Sequence, residues 1–282
     1  MDNNDIKTAV GIGQSLIEKT SFYEDALRGG AKELGKSLET AGKAVNICLS
    51  PIGVIVWGYE LVKDYIVEKV SKKLSGLPPE QIQTPRANIA VPAIEGIRIT
   101  HDEPSLQELF ANLIASSMNK QTALGVLPSF VKVISEITPD EAKIISFLFA
   151  RNICPIINLN KVNKNTGGFH LIVSHFTNIT KKINCEFPTM TPAYLENLER
   201  LKIIEIREDL YFKDENVYKE LYDDEMLTPF IKEIDMEDPS LKKFDKGMAR
   251  LTTYGVAFCK ACGIQTIEQF SPLKNLKNSA ED

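Results

Sequence analysis

Residues 44–59 read AVNICLSPIGVIVWGY, a run of sixteen residues without a charged side chain in a chain that is 25% charged. A helix that crosses the hydrocarbon core of a bilayer needs roughly 20 apolar residues, so this run is too short to span a membrane as one helix. It also contains Ser50-Pro51, a good N-cap residue followed by proline, which favours the start of a new helix. We therefore expect two helices that meet at a tight corner and bury their apolar ends against each other.

The second helix of this hairpin is predicted to begin at Pro51 and to stop near Gly76. Its apolar residues recur at spacings of three and four and would form one buried stripe, made of Ile55, Tyr59, Val62, Ile66, Val70 and Leu74. The alternative is a hairpin that contacts a membrane surface, because a helix that lies on a bilayer has the same amphipathic pattern. The residues that would face the membrane in that case are Ile52, Val54, Ile55 and Trp57.

The composition is that of an ordinary soluble protein, with 43% hydrophobic residues and a net charge of −5. This balance provides no overall positive field that would attract nucleic acid or anionic lipid. The N-terminus, MDNNDIKTAV, lacks the basic and apolar regions of a signal peptide, which predicts a cytoplasmic location. The five cysteines are odd in number and mostly scattered, so free thiols in a reducing compartment are expected.

The pattern along the chain divides it into an N-terminal helical region (1–76), a linker with central helices (77–137), a second domain (138–265) and a polar tail (266–282). The proline-rich linker is expected to enter a short helix near Val91-Pro92. The clearest helix is EPSLQELFANLIASSMN, in which six large apolar residues fall on one face. The best boundary is Thr138-Pro139-Asp140-Glu141, a capping box with threonine at the N-cap and glutamate at N3.

The second domain shows a recognisable order of elements. The segment TPAYLENLERLKIIEI predicts a helix that runs into a strand at Ile203–Ile206, and two further strand candidates are LYF (210–212) and GMARLTT (247–253). The last strand leads directly into the helix TYGVAFCKACG. This order resembles a winged helix-turn-helix with an acidic insertion at about 213–246. The predicted fold class is therefore mainly α: N-terminal helical hairpins followed by a winged-helix-like α+β domain.

Three blocks of sequence resemble the Abi-alpha family of bacterial abortive-infection proteins, a domain of unknown function. They read AKELGKSLETAGKAV, VPAIEGIRITHDEPSLQELFANLIASSMN and VLPSFVKVISEITPDEAKIISFL, and they cover about residues 30–148. Where the family often has histidine before the proline of the last block, this chain has Leu127. The resemblance implies a mostly helical, intracellular protein of phage defence, and it implies no catalytic residues.

Cys259-Lys-Ala-Cys262 is the strongest candidate for metal chemistry. A structural zinc site needs four ligands, and His170, His175 and Cys185 are the residues that could complete one. Against a zinc site, both cysteines share the apolar face of a predicted helix, where small buried cysteines are ordinary. Nucleotide-binding, metalloprotease and serine-hydrolase motifs do not occur in the chain. We therefore expect no enzyme activity and no cofactor.

Charge is divided unevenly between neighbouring segments. Residues 142–185 contain no acid and six bases, whereas residues 191–238 contain 15 acids and 6 bases. The basic segment suggests a nucleic-acid sensor, with candidate contacts at Lys161, Lys164, Lys181 and Lys182. The helix that would read duplex DNA carries Glu196 and Glu199, so duplex binding through that helix is disfavoured.

The leading hypothesis is a cytoplasmic, non-enzymatic defence protein that acts through contacts with a protein partner. The two alternatives are a membrane-perturbing effector that uses a hairpin at 44–75 and a nucleic-acid sensor that uses residues 142–185. The sequence pattern indicates no particular oligomeric state.

Overall fold

The computed structural model of this chain describes residues 38–264. The predicted polar tail (266–282) and the first part of the predicted N-terminal region (1–37) lie outside the described residues. The described residues form two compact units: unit 1 contains residues 38–101 and 110–128, and unit 2 contains residues 102–109 and 129–264. The domain boundary at Thr138 stays a prediction.

Unit 1 is built from helices, and the predicted helical hairpin is present in it. The helices are α1 (Leu38–Gly53), α2 (Lys63–Leu74), α3 (Ala87–Ile99) and the later part of α4 (Pro104–Met118). Helices α1 and α2 pack closely, since a Cβ atom placed on Gly42 would lie 3.7 Å from Ser71 Oγ. The apolar stripe predicted for α4 is confirmed, because each of its six residues is buried: Leu106, Leu109, Phe110, Leu113, Ile114 and Met118.

The start predicted for the second helix of the hairpin is wrong. Helix α1 continues through Pro51 to Gly53, and α2 begins only at Lys63. Two glycines make the longer connection possible. A Cβ atom on Gly53 would lie 2.6 Å from the ring of Tyr59, and Gly58 adopts a φ of 74° that favours glycine. The chain therefore turns in residues 54–62, and Pro51 removes one intrahelical hydrogen bond close to the end of α1.

The linker is held to the rest of unit 1, and its helix begins earlier than expected. Helix α3 starts at Ala87 and contains Pro92, whereas the sequence predicted a start near Val91. The guanidinium of Arg86 donates hydrogen bonds to the carbonyl oxygens of Ala123 and Val126, which holds the N-terminal end of α3 in place. This contact joins residues far apart in the chain, so local pattern could not reveal it.

Unit 2 combines helices with a four-stranded antiparallel sheet in the order β2-β1-β4-β3. Its elements in chain order are α5 (Ser129–Ser135), α6 (Pro139–Arg151), β1 (Ile153–Val162), β2 (Phe169–Phe176), α7 (Ile179–Lys182), α8 (Thr191–Arg200), β3 (Ile204–Arg207), α9 (Asn216–Tyr222), α10 (Thr228–Glu237), β4 (Lys242–Leu251) and α11 (Thr253–Ala261). The chain is therefore mainly helical, with its sheet in the C-terminal part.

The predicted strands at 203–206 and 247–253 are confirmed as β3 and the end of β4, which pair antiparallel from Ile204–Leu251 to Arg207–Met248. The strand predicted at 210–212 is wrong: the N–H of Phe212 donates to the hydroxyl of Tyr218 at 2.9 Å instead of joining the sheet.

The sequence did not predict the hairpin of β1 and β2, and β1 contains Pro155, a residue that argues against a central strand. In the structure β2 pairs with β1 only from Ile157 onward. At Pro155, strand β1 therefore has only β4 as a neighbouring strand. The N–H that proline lacks removes no hydrogen bond to β2.

The acidic insertion (residues 213–246) forms part of the core of unit 2. Its helices α9 and α10 and the first half of β4 are integrated with the sheet. Tyr218 donates a hydrogen bond from its hydroxyl to the carbonyl oxygen of Gly247 at 3.1 Å. One buried cluster joins insertion and sheet residues, namely Ile157, Phe176, Phe212, Tyr218, Leu221, Leu227 and Met248.

The predicted capping box at the start of α6 is confirmed. Thr138 Oγ1 accepts a hydrogen bond from the N–H of Glu141 at 3.2 Å, and Glu141 accepts one from the N–H of Thr138 at 2.7 Å. The second oxygen of Glu141 accepts a hydrogen bond from the side-chain amide of Asn197 at 2.6 Å, so the cap also holds α8.

Asp140, one residue before Glu141, is a buried carboxylate with four donors around it. Its oxygens accept hydrogen bonds from the N–H groups of Glu186 and Phe187 at 3.0 Å each, from Lys143 at 3.0 Å and from the hydroxyl of Tyr194 at 3.3 Å. Burial acts to raise the pKa of Asp140, but these backbone hydrogen bonds and Lys143 outweigh it and lower the pKa to about 2. The carboxylate therefore joins α6, the turn before α8, and α8 itself.

We expect Asp140→Asn to lower the free energy of unfolding at pH 7 by about 2 kcal/mol, the value of its pKa shift. Because the pKa is lower in the folded state, this contribution is full above about pH 4 and disappears as the pH falls towards 2. Urea unfolding of both proteins at several pH values checks this. Glu233→Gln, a change of an exposed carboxylate on α10, is the control. A deficit of Asp140→Asn that stays constant down to pH 2 would contradict the assignment.

A second prediction concerns Gly255, at the start of α11. A Cβ atom at this position would lie 2.1 Å from the carbonyl oxygen of Ile203, which is backbone and cannot move aside. We expect Gly255→Ala to lower the free energy of unfolding by about 3 kcal/mol, the upper end for overpacking. Gly125→Ala is the control, because nothing lies within 4 Å of that position. Equal stability of the two variants in urea unfolding would show that the close approach is not rigid.

Candidate functional site

The structure does not bring the candidate zinc ligands together. His170 is exposed on β2, whereas His175 lies at the other end of that strand, with its Nε2 atom 3.4 Å from Glu208 Oε1. Cys185 Sγ lies 3.9 Å from the carbonyl oxygen of Asp140. Within residues 38–264, no three His, Cys, Asp or Glu side chains are grouped so that they could hold a metal ion.

The thiols of the C-x-x-C pair are buried at the end of α11. Burial raises the pKa of Cys259 to about 12 and that of Cys262 well above its ordinary value. Burial likewise raises the pKa of Cys185 to about 12. Since the thiolate is the form that binds zinc and reacts in redox chemistry, these groups are held in the unreactive thiol form. The arrangement is that of small residues packed in a core.

The four candidate lysines of the basic segment all form ion pairs with the acidic insertion. Lys161 pairs with Glu237, and Lys164 pairs with Asp238. Lys181 lies 2.8 Å from Asp224 and 3.2 Å from Glu225, and Lys182 lies 2.5 Å from Glu220. The two oppositely charged segments seen in the sequence therefore neutralise each other inside one unit.

These contacts also change the chemistry of the groups involved. A hydrogen bond from Lys182 lowers the pKa of Glu220. Burial acts to lower the pKa of Lys181, but hydrogen bonds to Asp224 and Glu225 outweigh it and raise the pKa. An open groove of about 790 Å³ lies between α7 and α9 and is lined by Asn178, Lys181, Asn216, Lys219, Glu220, Asp223, Asp224 and Glu225. Because its acids outnumber its bases, the groove repels a phosphate group.

Helix α8, the candidate duplex-reading helix, uses its polar side chains inside the fold. Glu199 accepts a hydrogen bond from the N–H of Ile206 at 3.0 Å. Arg200 donates to Glu136 at 2.7 Å, and Asn197 donates to the carbonyl oxygen of Glu136 at 3.0 Å. These groups would have to leave their partners to contact a base or a phosphate.

The residues predicted to face a membrane divide into two classes. Ile52 is 3% exposed, because it lies in the last turn of α1 against the core, so it faces no solvent. Val54 and Ile55 are each 62% exposed and Trp57 is 80% exposed. These residues lie in the connection between α1 and α2, which we call the hairpin tip (residues 54–61). The helices described in the structure are all too short or too polar to cross a bilayer.

Two further residues, one in the hairpin tip and one beside it, were not found from the sequence. Leu61 is 79% exposed, and its helical spacing had placed it off the expected apolar stripe. The guanidinium carbon of Arg98, on α3, lies 5.4 Å from the centre of the Trp57 ring. No local signal connects positions 57 and 98, so only the packing of unit 1 reveals this pair.

Comparison with known proteins gives one family and one solved structure. The family model for abortive infection alpha matches residues 58–262. This match begins later and extends further than the blocks at 30–148 that carried the resemblance, and it includes residues of both units. No curated protein matches the chain.

The solved structure is that of an uncharacterized protein from the hydrocarbon-degrading marine bacterium Alcanivorax borkumensis. It is similar at 11% identity and a TM-score of 0.35, over 51% of this chain and 96% of that chain. The match of the family model spans most of the residues described above. The chain belongs to the abortive infection alpha family.

Proposed function

We propose that this chain is a phage-defence protein of the abortive-infection type that acts without catalysis, by binding a protein partner. The observation that carries the proposal is the family match over residues 58–262, which spans most of the chain. Unit 2, whose helix α8 runs into β3 and whose β4 runs into α11, is the winged-helix-like interaction module of this proposal.

Two features of unit 2 support a protein partner over a nucleic acid. Its candidate lysines are neutralised by carboxylates of the same unit, so little positive charge remains for phosphate. Its edge strand β2 exposes large apolar side chains: Phe169 is 57% exposed, Leu171 is 55% exposed and Ile172 is 38% exposed. Exposed apolar side chains that lie together are typical of protein interaction surfaces.

Phage challenge of a bacterium that expresses the chain tests this function. We expect wild type to lower the plating efficiency of a sensitive phage, and the combined variant Phe169→Ser with Leu171→Ser to lose protection at an unchanged protein level. Met236→Ser is the matched control, because Met236 is 88% exposed on α10 and far along the chain from β2. Retention of protection by the β2 variant, with loss in the control, would contradict the role of β2.

The absence of catalysis is tested separately on the purified protein. We expect no turnover of ATP, GTP, NAD, RNA or DNA, with and without a lysate of infected cells. Turnover of any of these substrates that is lost in a folded variant would overturn the non-enzymatic part of the proposal.

The nucleic-acid alternative leads to a separate prediction. Because Lys181 and Lys182 are already paired, we expect wild type to show no steep salt-dependent binding of RNA or DNA. Changing both to glutamate should instead lower the free energy of unfolding by about 1 kcal/mol, since exposed ion pairs are each worth about 0.2–1 kcal/mol. The charge exchange Lys182→Glu with Glu220→Lys should recover part of that loss in urea unfolding. Salt-sensitive binding that disappears in the double variant would support a nucleic-acid sensor.

A further inference from the structure

The hairpin tip presents apolar side chains to solvent at a place where the backbone is held firmly. Val56 is 5% exposed and Tyr59 is 6% exposed, so both anchor the connection to the core of unit 1. The ring of Tyr59 packs on Gly53, and Gly58 turns the chain with a φ of 74°. The neighbours of these anchors are therefore directed outward: Val54, Ile55, Trp57 and Leu61.

The hairpin tip can be transferred out of water at little electrostatic cost. Residues 44–59 carry no charge, and the next charged side chain, Glu60, pairs with Lys63 at 3.4 Å. Removing an unpaired charge from water is the main cost of bringing a protein surface into an apolar phase. An apolar loop followed by an acid and a base that pair with each other avoids that cost.

Arg98 gives this surface a cation at its side. Its guanidinium lies over the ring of Trp57, and its Nε atom is buried without a hydrogen-bond partner. In the described part of the chain, no carboxylate forms an ion pair with Arg98. A guanidinium is well suited to a phosphate, which it binds with two parallel hydrogen bonds.

We propose that the hairpin tip inserts into the boundary between the headgroups and the acyl chains of a phospholipid bilayer, with Arg98 bound to lipid phosphate. Tryptophan is enriched at this boundary, where its ring is partly apolar and its N–H remains hydrated, and arginine side chains reach phosphate from the same depth. The insertion is shallow and involves no membrane-spanning helix. It goes beyond the protein-binding function proposed above, since it assigns unit 1 a contact of its own.

A protein partner is the competing occupant, and the chemistry of the surface favours lipid. The tip is the end of a helical hairpin, with four exposed aliphatic or aromatic residues in eight positions and one unpaired cation beside them. This pairing of an apolar surface with a phosphate-binding cation complements a phospholipid, which offers both acyl chains and phosphate.

The chain itself supplies the probe, because Trp57 is its single tryptophan. We expect the emission of the full-length protein to shift to shorter wavelength on addition of phosphatidylcholine vesicles, and more strongly with vesicles that contain phosphatidylglycerol. Lipids brominated near the top of the acyl chain should quench it. Inorganic phosphate alone should leave the emission unchanged, which distinguishes lipid phosphate from free phosphate.

Matched variants test whether the hairpin tip is the part of the protein that binds vesicles. Ile55→Ser and Leu61→Ser should each weaken vesicle binding by roughly tenfold, because each removes one large apolar side chain from the contact. Arg98→Gln should abolish the preference for anionic vesicles while leaving the helical circular dichroism unchanged. Leu124→Ser is the control, since Leu124 is 92% exposed elsewhere in unit 1, and it should bind vesicles as wild type does.

Three outcomes would overturn the proposal. One is an emission of Trp57 that neither vesicle composition shifts or quenches. Another is an equal loss of binding in Leu61→Ser and Leu124→Ser. The third is a blue shift that depends on protein concentration and not on lipid, which would show that the hairpin tip is a contact between copies of the chain. None of these outcomes affects the phage-plating test of β2, so failure of either proposal can be distinguished.

Discussion

The carboxylate of Asp140 is the interaction on which unit 2 most depends. It is 4% exposed, and a buried carboxylate is stable only when its oxygens are supplied with donors. Here two backbone N–H groups, a lysine and a tyrosine hydroxyl supply them. The donors come from α6 itself, from the turn at 186–187 and from α8. This one group therefore fixes the start of α6 relative to the elements that follow the β1–β2 hairpin.

The neighbouring capping box extends the same connection. Glu141 completes the cap of α6 and also accepts a hydrogen bond from Asn197 on α8. Helix α8 runs directly into β3, which pairs with β4, and β4 pairs along its length with β1. Asn197, Glu199 and Arg200 of α8 thus form hydrogen bonds within the fold. The same hydrogen bonds stabilise unit 2 and bear on its proposed function.

Charge and apolar surface are distributed differently in the two units. In unit 2 the basic segment and the acidic insertion neutralise each other, and the surface that stands out is the apolar edge strand β2. In unit 1 the feature that stands out is the hairpin tip, with Trp57 and the unpaired Arg98. The chain belongs to the abortive infection alpha family, and each unit contains one proposed interaction surface.

The sequence by itself determined the features that depend on neighbours three or four residues apart. The capping box of α6, the apolar stripe of α4 and the strands at 203–206 and 247–253 were all visible, because periodicity and cap chemistry are local. The helical hairpin was also visible, and so was the family. Local pattern misplaced the corner of that hairpin, since the Tyr59 ring packs on Gly53 and allows α1 to continue through Pro51.

Only the tertiary structure decided what the charged and exposed residues do. Three of the four donors of Asp140, the ion pairs of the four lysines and the stacking of Arg98 on Trp57 join positions about 40 or more residues apart. Strand β1 tolerates Pro155 only because β2 stops pairing before it. Such contacts depend on which elements meet in space, and that meeting is set by burial of the whole core, whereas sequence periodicity describes one element at a time.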